Sequence, residues 1–322
     1  MQAFQVNSFD DRAALTTLAA PEPGPGQVAV SLRACGLNFA DLLMQKGTYQ
    51  DTPTPPFTLG LEAAGVVIAC GPEVAEFSPG DRVAVFAGSG GLAETGVFDA
   101  DRVIHIPETM SFEHAAAMQI AYGTSHMALN HCARLQPGET LLVTGAAGGV
   151  GLTAVEIGKL MGATVIAQAR DAAKLEVAAA AGADHLIDAS EDLRSAVKAL
   201  GGADVVYDAV GGEVWQAAFR SANPGARLLP IGFAGGAVPQ IPANHLLVKN
   251  LTVIGFYLGG YMKIRPEVVR QSFETLFAWH GEGRIKPHIS HCLPLERAAE
   301  GLELLRDRKS TGKVVITMNA AD

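Results

Sequence analysis

The segment Leu141–Gly151, Leu-Leu-Val-Thr-Gly-Ala-Ala-Gly-Gly-Val-Gly, constrains the fold more than any other stretch of the chain. An apolar run breaks into glycines and passes at once into the helical stretch predicted over Val150–Met161. A turn of this kind exposes the first N–H groups of a helix and its positive dipole end, which suits an anion such as a pyrophosphate. The spacing G-x-G-x-x-G is met at Gly148 and Gly151, while Ala146 holds the first position. The alternative is a glycine turn that only lets a helix pack close on a strand. The strand–turn–helix context favours the anion site, and Ala147, Gly148, Gly149 and Val150 are expected to line it.

The chain beyond the loop alternates strand and helix. Apolar strands are predicted at Thr140–Thr144, Thr164–Gln168, His185–Asp188, Asp204–Asp208, Arg227–Gly232 and Leu251–Phe256. Helices are predicted at Val150–Met161, Ala172–Ala181, Leu193–Leu200 and Val214–Ala222, with no clear helix between the last two strands. Six apolar strands joined by helical crossovers imply a six-stranded parallel sheet covered on both faces, the doubly wound dinucleotide-binding layout. The 322 residues exceed one typical domain. The remainder is β-rich before about residue 110: Ala3–Val6, Gln27–Arg33, Glu62–Cys70 and Asp81–Phe86 read as short strands cut by Gly and Pro, a barrel-like domain. Ser111 reads as an N-cap for a helix through Ala115–Met118, and a second helix is expected over about Tyr122–Arg134. Helices at Glu267–Trp279 and Leu295–Arg306 and a strand at Lys313–Thr317 are expected to return to the first domain. The boundaries are thus 1–121, 122–260 and 261–322, the whole being an α/β chain.

The second strand bears on which dinucleotide is held. A carboxylate about 20 residues past the glycine loop accepts from the ribose 2′-hydroxyl of NAD. Here that place falls at Ala169, followed by Arg170 and, one helical turn on, Lys174. A cationic pair beside a missing carboxylate suits a 2′-phosphate, and the cofactor expected is NADPH. The other reading is that Arg170 and Lys174 cover a solvated helix start capped by Asp171.

Several spaced motifs carry a family resemblance: Ala34-Cys-Gly-Leu-Asn-Phe-Ala-Asp41, Gly47-Thr-Tyr49, Leu59-Gly-Leu-Glu-Ala-Ala-Gly65, Pro79-Gly-Asp-Arg-Val83, the glycine loop and Ser310-Thr-Gly-Lys-Val314. In this order they resemble the medium-chain dehydrogenase/reductase superfamily across the whole chain. The branch most resembled is the zinc-independent, zeta-crystallin-like quinone oxidoreductases, which also matches Pro239–Tyr257. The resemblance implies a GroES-like, β-barrel-type catalytic domain beside a Rossmann domain, with the active site in the cleft between them. It places Asn38 and Asp41 at the nicotinamide end and Tyr49 toward the substrate. Thr124, opening the helix into the nucleotide domain, is placed near the nicotinamide or its ribose. Val210 and Gly211 are set at the end of the fourth strand, Ile231, Gly232 and Phe233 at the end of the fifth, and Phe256 and Tyr257 at the end of the sixth.

In zinc-dependent members two of these motifs carry zinc ligands. Here Asn38 and Leu61 stand in those places, and the third falls near Ile120 or Ala121, so no catalytic metal is expected. The activity implied is hydride transfer from NADPH to a quinone or another α,β-unsaturated carbonyl. Tyr49 is a candidate donor to the oxygen that gains charge, with plain packing as its alternative, and Asn38 at the nicotinamide end is the other candidate catalytic residue. The rival functions are an enoyl-thioester (enoyl-CoA) reductase and a non-catalytic NADPH-binding protein. Lys309 and Lys313, near the last strand, could reach cofactor phosphates, but the reading favoured for both is a plain solvated charge; the pairs His126/His131 and His288/His291 are not assigned to catalysis.

Charge and cysteines exclude other classes. The net charge is −9 with no basic run, so no nucleic-acid partner is expected. Cys35, Cys70, Cys132 and Cys292 form no C-x-x-C pair, which fits reduced thiols in the cytoplasm. No secretory leader and no membrane span are expected. A homodimer is expected through the apolar sheet edge near Leu251–Phe256.

Overall fold

The structure is a computed structural model and describes residues 1–318. The chain forms two compact units: Met1–Ile120 together with the chain from Phe277 onward, and Ala121–Leu276. It comes back into the first unit at Phe277, well after the residue 261 at which the sequence places the return.

The first unit opens with β1 (Gln2–Val6), β2 (Ala14–Thr17), β3 (Gln27–Gly36), α1 (Phe39–Met44), β4 (Phe57–Thr58), β5 (Glu62–Cys70), β6 (Arg82–Val85), β7 (Thr95–Asp99) and β8 (Val103–His105). Helix α2 (Phe112–His126) leads into the second unit. The Ser111 hydroxyl accepts from the His114 N–H at 3.2 Å, the expected cap. The two helices predicted here are a single one, which widens after His126 into a π-helical turn over Met127–Cys132. Buried Tyr122, Met127 and Leu129 hold the helix through weak helix formers such as Gly123 and Thr124.

The second unit runs β9 (Thr140–Thr144), α3 (Gly149–Leu160), β10 (Thr164–Ala169), α4 (Ala172–Ala180), β11 (His185–Asp188), α5 (Leu193–Ala199), β12 (Ala203–Asp208), α6 (Gly212–Ser221), β13 (Ala222–Pro230), α7 (Ala243–Lys249), β14 (Thr252–Val253) and α8 (Leu258–Ile264). Its six strands lie in the order β11-β10-β9-β12-β13-β14, all parallel. Leu141, Leu142, Val143, Val205 and Val206 are fully buried, as a sheet covered on both faces requires. The order reverses beside β9, which puts the β9 and β12 carboxyl ends at a topological switch point. A crossover helix, α7, does join the last two strands, and β14 is two residues rather than the six predicted.

Helix α9 (Pro266–Gly281), β15 (Ile289–Pro294), α10 (Ala298–Arg306) and β16 (Lys313–Thr317) follow. β16 inserts between β15 and β3 in a mixed sheet ordered β15-β16-β3-β5-β6-β8, with β7 also on β3. Strands β2-β1-β4 form a separate sheet over the same core, which includes Phe4, Val30, Leu32, Leu59 and Ile316. The first unit is therefore built from both ends of the chain. Among the described residues no helix is long and apolar enough to cross a membrane.

Candidate active site

The glycine loop lies at the β9 end of the switch point. Gly145, not Ala146, makes the turn out of the strand, with φ +63. Ala146 continues the ladder instead, its N–H donating to the Gln168 carbonyl at 3.0 Å. Gly151 is needed for close approach: a Cβ there would lie 2.2 Å from the Gly145 carbonyl oxygen. Gly148 is the N-cap of α3, and no side chain caps the helix. Ala147 is buried, whereas Gly148 is exposed and Gly149 and Val150 are half-buried. First-turn N–H groups without a side-chain partner, beside a glycine backbone, form a cradle that fits a pyrophosphate.

The other strand ends of this unit surround the same edge. β10 closes on buried Ala169, and Arg170 after it is exposed. Asp171 caps α4 by accepting from the Lys174 N–H at 3.0 Å, and the Lys174 ammonium lies 3.6 Å from the same carboxylate. β12 closes on Asp208, which is fully buried. Its carboxylate accepts from the Thr144 hydroxyl and from the N–H groups of Val210 (3.3 Å) and Gly211 (2.8 Å). Burial pushes its pKa up, and these donors oppose the shift. Asp208 thus ties the Val210–Gly211 turn to the residue preceding the glycine loop. Sequence reasoning passed it over, although an acid closing an apolar strand before a glycine turn was the signal. Val210 and Gly211 follow β12 rather than end it, Gly211 serving as the N-cap of α6. Ile231, Gly232 and Phe233 likewise follow β13. Phe256 and Tyr257 lie beyond β14, with Tyr257 at the N-cap of α8. Thr124 sits near the end of α2 and does not open a helix.

In the first unit the β3–α1 junction carries a dense polar cluster. The Asn38 N–H donates to Asp41 Oδ2 at 2.8 Å, and the Gly60 N–H to Asp41 Oδ1 at 3.2 Å. Asp41 is fully buried, and burial raises its pKa to about 7 despite those bonds. Glu62, also fully buried, accepts from Asn38 Nδ2 at 2.9 Å and from the Ile120 N–H at 2.8 Å. Lys313 reaches the same carboxylate at 2.7 Å. Its reading as a solvated charge is wrong: only 3% of it is exposed, because β16 runs through the core. Tyr49 is half-buried against the first unit's core, and its carbonyl accepts from the Thr52 hydroxyl at 2.6 Å.

The sequence matches two known domain families in turn. Residues 24–108 match the alcohol dehydrogenase GroES-like domain and residues 149–278 the zinc-binding dehydrogenase family. A quinone oxidoreductase-like protein 2 homolog of Nematostella vectensis is 41% identical over 91% of this chain and 82% of that protein. The chain belongs to the medium-chain dehydrogenase/reductase superfamily. The human synaptic vesicle membrane protein VAT-1 homolog is 36% identical over 92% of the chain and 80% of its own length. Among solved structures, the Escherichia coli quinone oxidoreductase complexed with NADPH superposes with a TM-score of 0.91 at 28% identity, covering 98% of this chain and all of that one.

Within this oxidoreductase superfamily the chain departs from the zinc-dependent pattern. Leu61 and Ile120 offer no metal ligand, and the Asn38 carboxamide is already engaged by protein groups. Among the described residues no three His, Cys, Asp or Glu side chains stand close enough to hold a metal ion. The donor set does not fit zinc. The histidines are held by neighbours: His126 Nδ1 lies 2.7 Å from the Ser272 hydroxyl, His288 Nε2 lies 2.9 Å from the Thr311 hydroxyl, and His131 packs edge-on to Tyr261. All four cysteines are free thiols.

Proposed function

We propose that this superfamily member is an NADPH-dependent oxidoreductase that reduces quinones or other α,β-unsaturated carbonyls without a zinc ion. The observation that carries the reading is the uncapped α3 N-terminus above the Gly145–Gly151 turn, joined to a second strand that ends in Ala169 and Arg170 rather than a carboxylate. The relatives named quinone oxidoreductase-like, and the E. coli quinone oxidoreductase complexed with NADPH, support it.

Ala147, Gly148, Gly149 and Val150 would hold the pyrophosphate, and Arg170 with Lys174 the 2′-phosphate. Val210, Gly211, Ile231, Gly232, Phe233, Phe256, Tyr257 and Thr124 would line the remainder of the cofactor. Bound there, NADPH supplies the hydride. Asn38 and Asp41 would meet the nicotinamide end, and the Tyr49 hydroxyl would donate to the substrate oxygen as it gains charge. With no zinc to polarise the acceptor, the acceptor must carry that charge through its own conjugation. This is why quinones and enones fit and simple ketones do not. The working assembly is a homodimer joined through the β14 edge, and the compartment is the cytoplasm.

Stopped-flow oxidation of NADPH against quinones, enones and enoyl-CoA thioesters tests the reading. Turnover with quinones or enones is expected. Turnover with enoyl-CoA alone would make the chain an enoyl-thioester reductase. Tight NADPH binding with no turnover on any panel would make it a binding protein.

A further inference from the structure

The apolar run of β16 carries an ammonium group into the first unit's interior. Lys313 Nζ donates to Glu62 Oε1 at 2.7 Å, Asn38 Oδ1 at 2.8 Å and the Leu37 carbonyl at 2.8 Å, so its three N–H bonds are all spent. A buried ion pair contributes little to stability compared with apolar side chains of the same volume, so packing alone does not account for it. The pair instead defines the state of one neighbouring side chain.

That side chain is Asn38. Its Nδ2 donates to the Gly36 carbonyl at 3.1 Å and to Glu62 Oε1 at 2.9 Å, using both of its N–H bonds. Its oxygen faces the ammonium. A carboxamide can usually exchange its two ends by rotating half a turn. Here that rotation would set the oxygen against two acceptors and the NH2 group against a cation.

We propose that Lys313 is a positioning residue of the reaction site, fixing through Asn38 which end of that carboxamide the cofactor meets. Asn38 then presents an oxygen that accepts from a hydroxyl or amide donor, and it has no N–H left for the substrate oxygen. The donor to that oxygen is therefore Tyr49 or water. This inference rests on the reading above that Asn38 lies at the nicotinamide end.

The test compares wild type with Lys313→Met, and Lys313→Met/Glu62→Gln with Glu62→Gln. The double variant removes both charges together and keeps the test open if a lone Glu62 carboxylate unfolds the single one. Exchange of the Asn38 side-chain N–H protons with water, read by NMR on 15N-labelled protein, is expected to speed up at least tenfold when Lys313 is lost. The kcat is expected to fall at least tenfold in the Asn38 background and less than twofold in an Asn38→Ala background. Unchanged exchange, or equal losses of kcat in both backgrounds, would overturn the proposal. If wild type reduces no quinone or enone, the functional reading falls by itself, while the exchange measurement still decides the role of Lys313.

Discussion

Arg170 stands exposed one residue past buried Ala169, while the neighbouring cation, Lys174, is shared with Asp171 at 3.6 Å. The guanidinium is therefore the main group available to a 2′-phosphate. A hydrogen bond to a charged group contributes about 1.5–3 kcal/mol. Arg170→Ala is thus expected to weaken NADPH by about ten- to hundredfold and NADH by less than twofold, read by fluorescence titration. Equal losses would remove the phosphate role. Tyr49 is a different case, because its ring packs on the first unit's core whatever else it does. Tyr49→Phe keeps the ring and deletes the hydroxyl. If that hydroxyl donates to the substrate oxygen, kcat should drop roughly a hundredfold with little change in KM for NADPH. An unchanged kcat would assign the proton to water.

At the scale of elements, β14 ends the parallel sheet and, among the described residues, pairs only with β13. Just before it, α7 leaves Leu247 and Val248 at 78% and 75% exposed. An open strand edge beside exposed aliphatic side chains calls for a cover. Sedimentation should find a dimer, and Leu247→Lys/Val248→Lys should shift it toward monomer; a monomeric wild type would contradict this assembly. The elements best read from sequence were β9 to β13 and α3 to α6: β9, β10 and β12 are apolar runs buried along nearly their whole length, and glycines mark several of the turns between the elements. Helices α7 and α8 and strands β14 and β15 were missed or misjudged because they bury little: α7 and β14 bury no side chain, α8 buries only Leu258 and Gly259, and β15 only Leu293, so no apolar run marks them. The site divides in the same way. The glycine turn is local and legible, although Gly145 took the role that the spacing gives to position 146. The Lys313–Glu62 pair joins residues 251 positions apart, and no periodicity announces it.

Across the whole molecule, two buried titratable groups oppose one another. Burial raises the Asp41 pKa to about 7 in the first unit and lowers the His126 pKa to about 4 in the second. Folded Asp41 holds its proton above the unfolded value near 3.9, so its contribution is lost as pH rises from about 4 to 7. Folded His126 refuses a proton that the unfolded chain accepts below about 6.5, so its contribution is lost as pH falls from there toward 4. Each acts at up to about 1.4 kcal/mol per pH unit. Calorimetry from pH 4.5 to 6.5 should find Asp41→Asn gaining on wild type as pH rises and His126→Asn losing ground. Parallel curves would mean that neither group titrates in this range. A last consequence lies in the place of β16, threaded between β15 and β3 with Lys313 at its head. As the ribosome makes this chain, all six parallel strands of the second unit exist before the first unit can close. Until β16 arrives, the nascent protein carries a Glu62 without its ammonium partner, and β3 and β15 each keep an open edge.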